Sequence, residues 1–273
     1  MPELPEVETI VRGLQELVGR KVSAVEVYDD KIYASQPAPG ALFQLVGQSV
    51  VRVTRRGKVI VLDTDGGLVV SCHLRMTGQL WLVPAGAPVP RFVRVKVHFV
   101  DVELYFADAR RFGYFVVETA AQFADNPFLA RLGPDAATIS ASELAVRLKH
   151  RSGSVVKAAL LDQTVLAGVG NIYADEALWR AGIHPETRCG DLDEDAVTRL
   201  AEAIVYVLAR GIETGGSSLR DYVDASGTRG RYLDEAGVFA RQGQACRRCG
   251  AQIIKTRVAG RGTHLCLNCQ RVS

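Results

Sequence analysis

The stretch from Cys246 to Cys269, CRRCGAQIIKTRVAGRGTHLCLNC, carries two Cys-x-x-Cys knuckles with sixteen residues between them. Four thiolates at this spacing can close a tetrahedral site around one structural Zn²⁺, with Cys246, Cys249, Cys266 and Cys269 as ligands. A disulfide pair is the competing reading, and an intracellular chain disfavours it. The residues between the knuckles read as a hairpin with Gly260-Arg261-Gly262 at its turn. A module this small cannot bury its own core, so the ion would supply its rigidity. Residues 241–273 hold seven Lys or Arg and no Asp or Glu. A rigid hairpin charged with one sign suits a phosphate partner.

Outward from this tail, the 273-residue chain is long enough for two compact domains, and its 48% hydrophobic and 23% charged content is that of a globular protein. The net charge of +3 says little about partners, but a second basic knot, RVTRRGK, occupies residues 52–58. No run approaches the roughly 20 apolar residues of a membrane helix, and no signal peptide precedes the first helix, so a cytoplasmic location is expected. To about residue 118 the chain reads as Val-rich strands such as SVVRVTR, KVIVLDT, LVVSCHL and FVRVKVHFV, broken by turn residues. That pattern predicts a two-sheet sandwich. From Ser140 the period becomes helical, as in SELAVRLKH and EDAVTRLAEAIVYVLARG. The expected fold class is α+β: an N-terminal helix and β-sandwich over 1–133, a helical domain over 134–228, and the cysteine-bearing finger over 229–273.

The chain opens MPELPEVETIV. Pro5 suits the first turn of a helix, and Glu6 and Glu8 suit its positive end. Val7, Ile10, Val11, Leu14, Leu17 and Val18 then recur at spacings of three and four. Met1-Pro2-Glu3 remain unexplained by helix formation. In LAGVGNIYADEAL, Gly168 and Gly170 precede Asn171 and a new helix, whose free N–H groups could receive a phosphate or whose Asn could be a plain cap. Cys72 and Cys189 read as buried thiols and His73 as a structural histidine.

PELPEVET, RRGK, HLRMTG, DARRFG, GVGNIYADEAL and the finger, in this order, resemble the formamidopyrimidine-DNA glycosylase family, relatives of endonuclease VIII, over nearly the whole chain. The resemblance implies a β-sandwich joined to a helical domain with a helix–two-turn–helix motif and a zinc finger. It implies a base-excision repair enzyme that is both glycosylase and abasic-site lyase, acting on double-stranded DNA that carries an oxidised base. Met1 would be removed and the secondary amine of Pro2 would be the nucleophile. An α-amino group titrates near about 7.7–8.0, so a neutral fraction exists at physiological pH. Attack at the deoxyribose C1′ would expel the base and give a cationic iminium, and β,δ-elimination would cleave the strand. Glu3 would exchange protons with the sugar, while Glu6 is read as orienting the helix start. Lys58 would contact phosphate and take part in acid catalysis.

By the same resemblance, Met76, Arg110 and Phe112 would enter the duplex to fill the gap left by the flipped base. Without it, Met76 and Phe112 read as core. Lys157, Asn171 and Arg261 would grip phosphates, with Tyr173 contributing. The loop 217–232 departs from the family pattern, with Arg229-Gly230-Arg231-Tyr232 where relatives have Pro-Gly and an aromatic, which bears on lesion preference. MTG with RRF favours the oxidised-purine branch (8-oxoguanine, formamidopyrimidines) over the oxidised-pyrimidine branch. A lesion-sensing protein without catalysis is the alternative of another class, against which the intact Pro2-Glu3 pair argues. A zinc hydrolase is excluded, because four cysteines leave no open position. A monomer suffices for the mechanism.

Overall fold

The computed structural model describes residues 1–219 and 222–271 and divides into two compact units, residues 1–130 with 215–230 and residues 131–214 with 231–273. The first unit begins with α1 (Leu4–Gly13), whose start is a capping box: Glu3 is the N-cap, and its backbone N–H donates to Glu6 Oε2 at 2.7 Å. Reciprocal capping of this kind satisfies donors that a helix start leaves open. It holds a terminus that would otherwise fray. One face of α1, Val7, Ile10 and Val11, is buried in the core.

Eight strands follow: β1 (Ala24–Val27), β2 (Val50–Arg56), β3 (Val59–Thr64), β4 (Leu68–His73), β5 (Gly78–Pro84), β6 (Val93–His98), β7 (Val102–Asp108) and β8 (Tyr114–Thr119). They form two antiparallel four-stranded sheets, ordered β1-β6-β7-β5 and β2-β3-β4-β8. Val95, Val97, Leu104 and Phe106 of the first sheet share one core with Ile60, Leu62, Val70, Cys72, Phe115 and Val117 of the second. This is the expected sandwich, with inward positions alternating along strands such as β3, β7 and β8, while a bulge in β2 puts Val50 and Val53 on the core side. Two short helices, α2 (Ala120–Ala124) and α3 (Pro127–Ala130), close the unit.

Segment 215–230 groups with the sandwich, where the sequence reading ran the helical domain to 228. The reason is local hydrogen bonding: Leu82 N–H donates to Ala225 O at 2.9 Å, and Ser217 N–H donates to the buried Glu6 carboxylate at 2.7 Å. Residues 220 and 221 of the loop that departs from the family pattern lie outside the described residues.

The second unit contains α4 (Ala141–Lys149), α5 (Val156–Leu161), α6 (Asn171–Ala181), α7 (Glu194–Glu213) and α8 (Tyr232–Glu235), followed by β9 (Ile254–Val258) and β10 (Arg261–Leu265). Ser140 caps α4 with Glu143, and Asp193 caps α7 by accepting from Ala196 N at 2.7 Å. Along α7, Leu200, Ile204, Val207 and Leu208 are buried at helical spacing. Close approach matters at Gly211, where a Cβ would lie 2.6 Å from the hydroxyl of the fully buried Tyr173. β9 and β10 pair from Arg261↔Val258, so the turn residues are Ala259 (φ 48°) and Gly260 (φ 74°), and Arg261 starts the return strand. Two successive positive φ values match the two-residue turns favoured in hairpins.

Candidate nucleic-acid interface and metal centre

The start of α1 gathers the first group of site residues. Pro2 is buried and Glu3 is 3% exposed, while Met1 ahead of them stands 50% exposed. Glu6, itself buried, receives Glu3 N–H on Oε2 and both the N–H and the hydroxyl of Ser217 on Oε1 (2.7 and 2.9 Å). The Tyr222 hydroxyl donates to Glu6 O at 3.2 Å. Glu6 therefore clamps the N-terminus to segment 215–230, which agrees with its reading as an orienting residue and adds a partner that sequence alone did not supply. Strand β2 runs back along α1: Gln15 Nε2 donates to Val53 O, and Arg55 Nε to Glu8 Oε2 at 2.8 Å. Strand β2 therefore runs toward the N-terminal end of α1, and the Gly57–Lys58 turn follows its last residue, Arg56. Lys58 is 6% exposed. Burial, with the charges of Arg75 and Lys58, pushes His73 down to about 3. His73 is thus a neutral ring at neutral pH, and its Nδ1 accepts from Arg75 N–H at 3.0 Å.

Met76 and Phe112 are not core residues. They stand 48% and 57% exposed on neighbouring loops of the first unit, and the Arg110 guanidinium lies 4.6 Å from the centre of the Phe112 ring. Asp108, 2% exposed, ties the two loops together. Its Oδ1 accepts from Thr77 Oγ1 (2.5 Å) and from Arg110 N–H (3.2 Å), and its Oδ2 accepts from Gly113 N–H (2.7 Å). The sequence reading quoted both motifs without giving Asp108 this function. The signal was an acid at the end of a strand directly ahead of the Arg-Arg-Phe-Gly turn.

In the second unit the turn between α5 and α6 is stapled by Gln163, which accepts from Gly168 N–H and donates to Val169 O. Gly170 is the N-cap of α6, so Asn171 is its first residue rather than the cap. Asn171 Nδ2 donates to Gly262 O at 2.9 Å, next to Arg261, while its Oδ1 is buried with no partner among the described residues. Arg261 is exposed.

Lys157 and Tyr173 sit differently from surface phosphate contacts. The Lys157 side chain is 0% exposed and paired with Asp175 at 2.5 Å. Its Nζ also donates to Thr263 Oγ1 (2.7 Å) and Gly262 O (3.2 Å). Tyr173 is fully buried with its ring 4.9 Å from that of Tyr232. Asp175 Oδ2 accepts from His264 N–H at 2.8 Å, and Glu176 accepts three backbone N–H groups, from Gly237, Val238 and Phe239. The Asp175-Glu176 pair on α6 thereby fixes the hairpin and its approach segment. Burial raises Glu176 above the usual carboxylate range, against the three N–H donors that lower it.

The four finger cysteines bring their sulfur atoms within 4.8 Å of one another. Cys246 and Cys269 lie 3.9 Å apart, and Cys249 and Cys266 3.5 Å. Tetrahedral thiolates at about 2.3 Å from zinc stand roughly 3.8 Å apart, whereas a disulfide needs about 2.05 Å. The donor set fits zinc and not a disulfide. Cys72 and Cys189 are buried and unpaired, as expected.

Three family models match in chain order. They are the formamidopyrimidine-DNA glycosylase N-terminal domain over residues 1–115, the formamidopyrimidine-DNA glycosylase H2TH domain over 132–223, and the zinc finger found in FPG and IleRS over 243–272. Formamidopyrimidine-DNA glycosylase of Carboxydothermus hydrogenoformans is 40% identical over 272 residues, covering 99% of this chain and 100% of the relative. That of Roseiflexus sp. is 41% identical over 280 residues, with the same coverage. Among solved structures, the Lactococcus lactis Fpg complex with abasic-site DNA aligns with a TM-score of 0.89 at 35% identity, covering 98% of this chain and 99% of that one. Wild-type L. lactis Fpg with N7-benzyl-Fapy-dG DNA aligns at 0.89 and 34%, covering 99% and 100%. A catalytic sandwich, a helix–two-turn–helix unit and a four-cysteine finger define a DNA glycosylase class, and the chain belongs to the formamidopyrimidine-DNA glycosylase family. Its finger cysteines form one structural zinc site. Among the described residues, no helix is long and apolar enough to cross a membrane.

Proposed function

We propose that this chain removes oxidised purines from duplex DNA and then cleaves the strand, using the amine of Pro2 once Met1 is gone. The observation that carries the reading is the clamp at the start of α1. Glu6 holds Glu3 N–H on one oxygen and Ser217 on the other, so Pro2 and Glu3 are fixed and buried behind the exposed Met1. Release of that residue frees a secondary α-amine, a class of group less basic than a lysine side chain.

The amine nitrogen forms a bond to C1′ as the C1′–base bond breaks, and the proton the nitrogen gives up ends on the departing base. The ring oxygen then leaves C1′ with a proton from Glu3, giving an open-chain cationic iminium between Pro2 and the sugar. Loss of a C2′ proton to the Glu3 carboxylate feeds electrons toward that cation and expels the 3′-phosphate; a second elimination expels the 5′-phosphate. Proton exchange of this kind contributes typically 10²–10⁴-fold. Lys58, in the turn that follows β2, is assigned the phosphate contact beside the damaged nucleotide.

Met76 and Phe112 enter the stack when the damaged base leaves it, and Arg110 meets the widowed partner. Arg261 and Asn171 hold backbone phosphate from the second unit. Lys157 is reassigned from a direct phosphate contact to a strut that sets Gly262 and Arg261. The relatives' name, formamidopyrimidine-DNA glycosylase, and the Fapy-dG DNA in the L. lactis complexes support a ring-opened purine as one substrate. One chain suffices, working on cytoplasmic DNA.

The test is excision and strand cleavage on duplexes carrying one 8-oxoguanine, one formamidopyrimidine or one oxidised pyrimidine. The expected result is cleavage of the two purine substrates, leaving phosphate at both ends of the gap. Glu3→Gln is expected to lose most of the rate while still binding abasic-site DNA. Preferential cleavage of the pyrimidine duplex moves the chain to the other branch, and binding without cleavage of any duplex refutes the enzyme reading.

A further inference from the structure

The outer face of the β4–β8 pair carries a cleft of about 410 Å³ within the first unit, lined by none of the residues assigned to the reaction above. Val70, Cys72, Phe115 and Val117 point into the sandwich core. The alternate positions Ser71, Tyr114, Val116 and Glu118 therefore share the opposite face, in register across the ladder. The volume lies in the range of about 300–1,000 Å³ usual for small-molecule sites, which pair apolar walls with a few convergent polar groups.

Glu118 is the informative residue. It is 8% exposed, and the Ser71 hydroxyl, 2% exposed, donates to its Oε1 at 2.8 Å. Its second oxygen accepts from no donor among the described residues. It is also absent from the buried atoms that lack a partner, so it opens into the cleft. The cleft walls are aromatic. The Tyr114 and Phe128 rings both rest on the His73 ring, at 5.8 and 6.5 Å between centroids, and Asn126 Oδ1 fixes Phe128 by accepting its N–H at 3.0 Å.

At the rim stands Arg75, exposed and in the left-handed region at φ 50°, with no ion pair among the described residues. A simple cation would suit Glu118 but meet Arg75; a simple anion would suit Arg75 but meet Glu118. A ligand with an N–H donor on a flat ring at one end and a negative charge at the other satisfies both.

We propose that this cleft binds a nucleotide unit, with an amino-bearing base between Tyr114 and Phe128, its N–H on Glu118 and its phosphate on Arg75. Two sources share that chemistry, a free mononucleotide and a nucleotide of a DNA strand turned out beside Met76, the residue that follows Arg75. The site is independent of the chemistry at Pro2, so its failure and that of the proposed reaction are separately visible.

The experiment uses the full chain with zinc bound and follows the fluorescence of 2-aminopurine. One arm titrates 2-aminopurine deoxynucleoside monophosphate; the other uses an undamaged duplex with a single 2-aminopurine. Saturable quenching in either arm is expected and identifies the source. Glu118→Ala and Arg75→Ala are each expected to weaken it at least about tenfold. Glu118→Gln keeps the side-chain volume and an acceptor, so it should fall between wild type and Glu118→Ala while cleaving a lesion duplex at the wild-type rate. Absence of saturable quenching in both arms overturns the proposal. So does quenching that Glu118→Ala and Phe128→Leu leave unchanged.

Discussion

Replacing Lys157 by Met separates a buried strut from a phosphate contact. Both side chains of the Lys157–Asp175 pair are 0% exposed, and the lysine also bonds Thr263 and Gly262. Met keeps most of the stem but removes the charge, leaving Asp175 with the His264 N–H and imidazole but without its ammonium partner. Breaking one side of a buried pair costs about 3–5 kcal/mol. At roughly 2–4 °C per kcal/mol, the lower figure lowers Tm by about 6–12 °C. DNA affinity measured over a range of salt gives the second readout, because each phosphate contact contributes about 0.9 to the slope of log K against log salt. Lys157→Met should leave that slope unchanged below the new Tm. Arg261→Ala should lower it by about 0.9 with stability within about 0.5 kcal/mol of wild type. A Lys157→Met protein as stable as wild type whose slope falls by about one would refute the strut and restore the direct contact.

Gly211→Ala places a methyl group 2.6 Å from the Tyr173 hydroxyl and is expected to cost about 1–3 kcal/mol in thermal unfolding. Met76→Ala combined with Phe112→Ala removes two exposed side chains, so Tm should hold while single-turnover excision of a base-paired lesion falls at least about tenfold. His73, pushed down to about 3 chiefly by burial, binds its proton less readily folded than unfolded. Its neutral burial is therefore a penalty that grows as pH falls below about 6.5. Stability between pH 6 and 5 should drop with a slope approaching 1.4 kcal/mol per pH unit from this ring, and urea melts of His73→Asn should show a shallower acid limb. Stripping zinc with a chelator should loosen residues 243–271 first, measured by hydrogen exchange, since the buried hydrophobic cluster there is Val238, Cys246, Ile253 and Cys266.

Much of this molecule was legible in the sequence because its signals are local. Two Cys-x-x-Cys knuckles, the apolar face of α1 and the alternating Val-rich strands each lie within a short window, and the sandwich, helical unit and finger follow from them. What the sequence did not show depends on distant partners. Lys157 looks like any basic residue near a helix start until Asp175, on the next long helix, is folded against it. Glu6 could be read as a helix-start residue, but its bond to Ser217 spans 211 positions. That long closure also explains why 215–230 joins the sandwich rather than the helices. Tyr173 follows Asn171 too closely for sequence to separate the exposed start of α6 from the buried side chain that Gly211 admits.

The most direct test of the central claim is borohydride trapping on a duplex with one 8-oxoguanine opposite cytosine, followed by peptide mapping of the adduct. Wild type is run beside Pro2→Gly and a form that retains Met1. The account predicts a covalent adduct in the processed wild type, carried on the N-terminal peptide at Pro2, and none in the Met1-retaining form. An adduct mapped to Lys58 or to any other lysine, or equal trapping with Met1 in place, would contradict it.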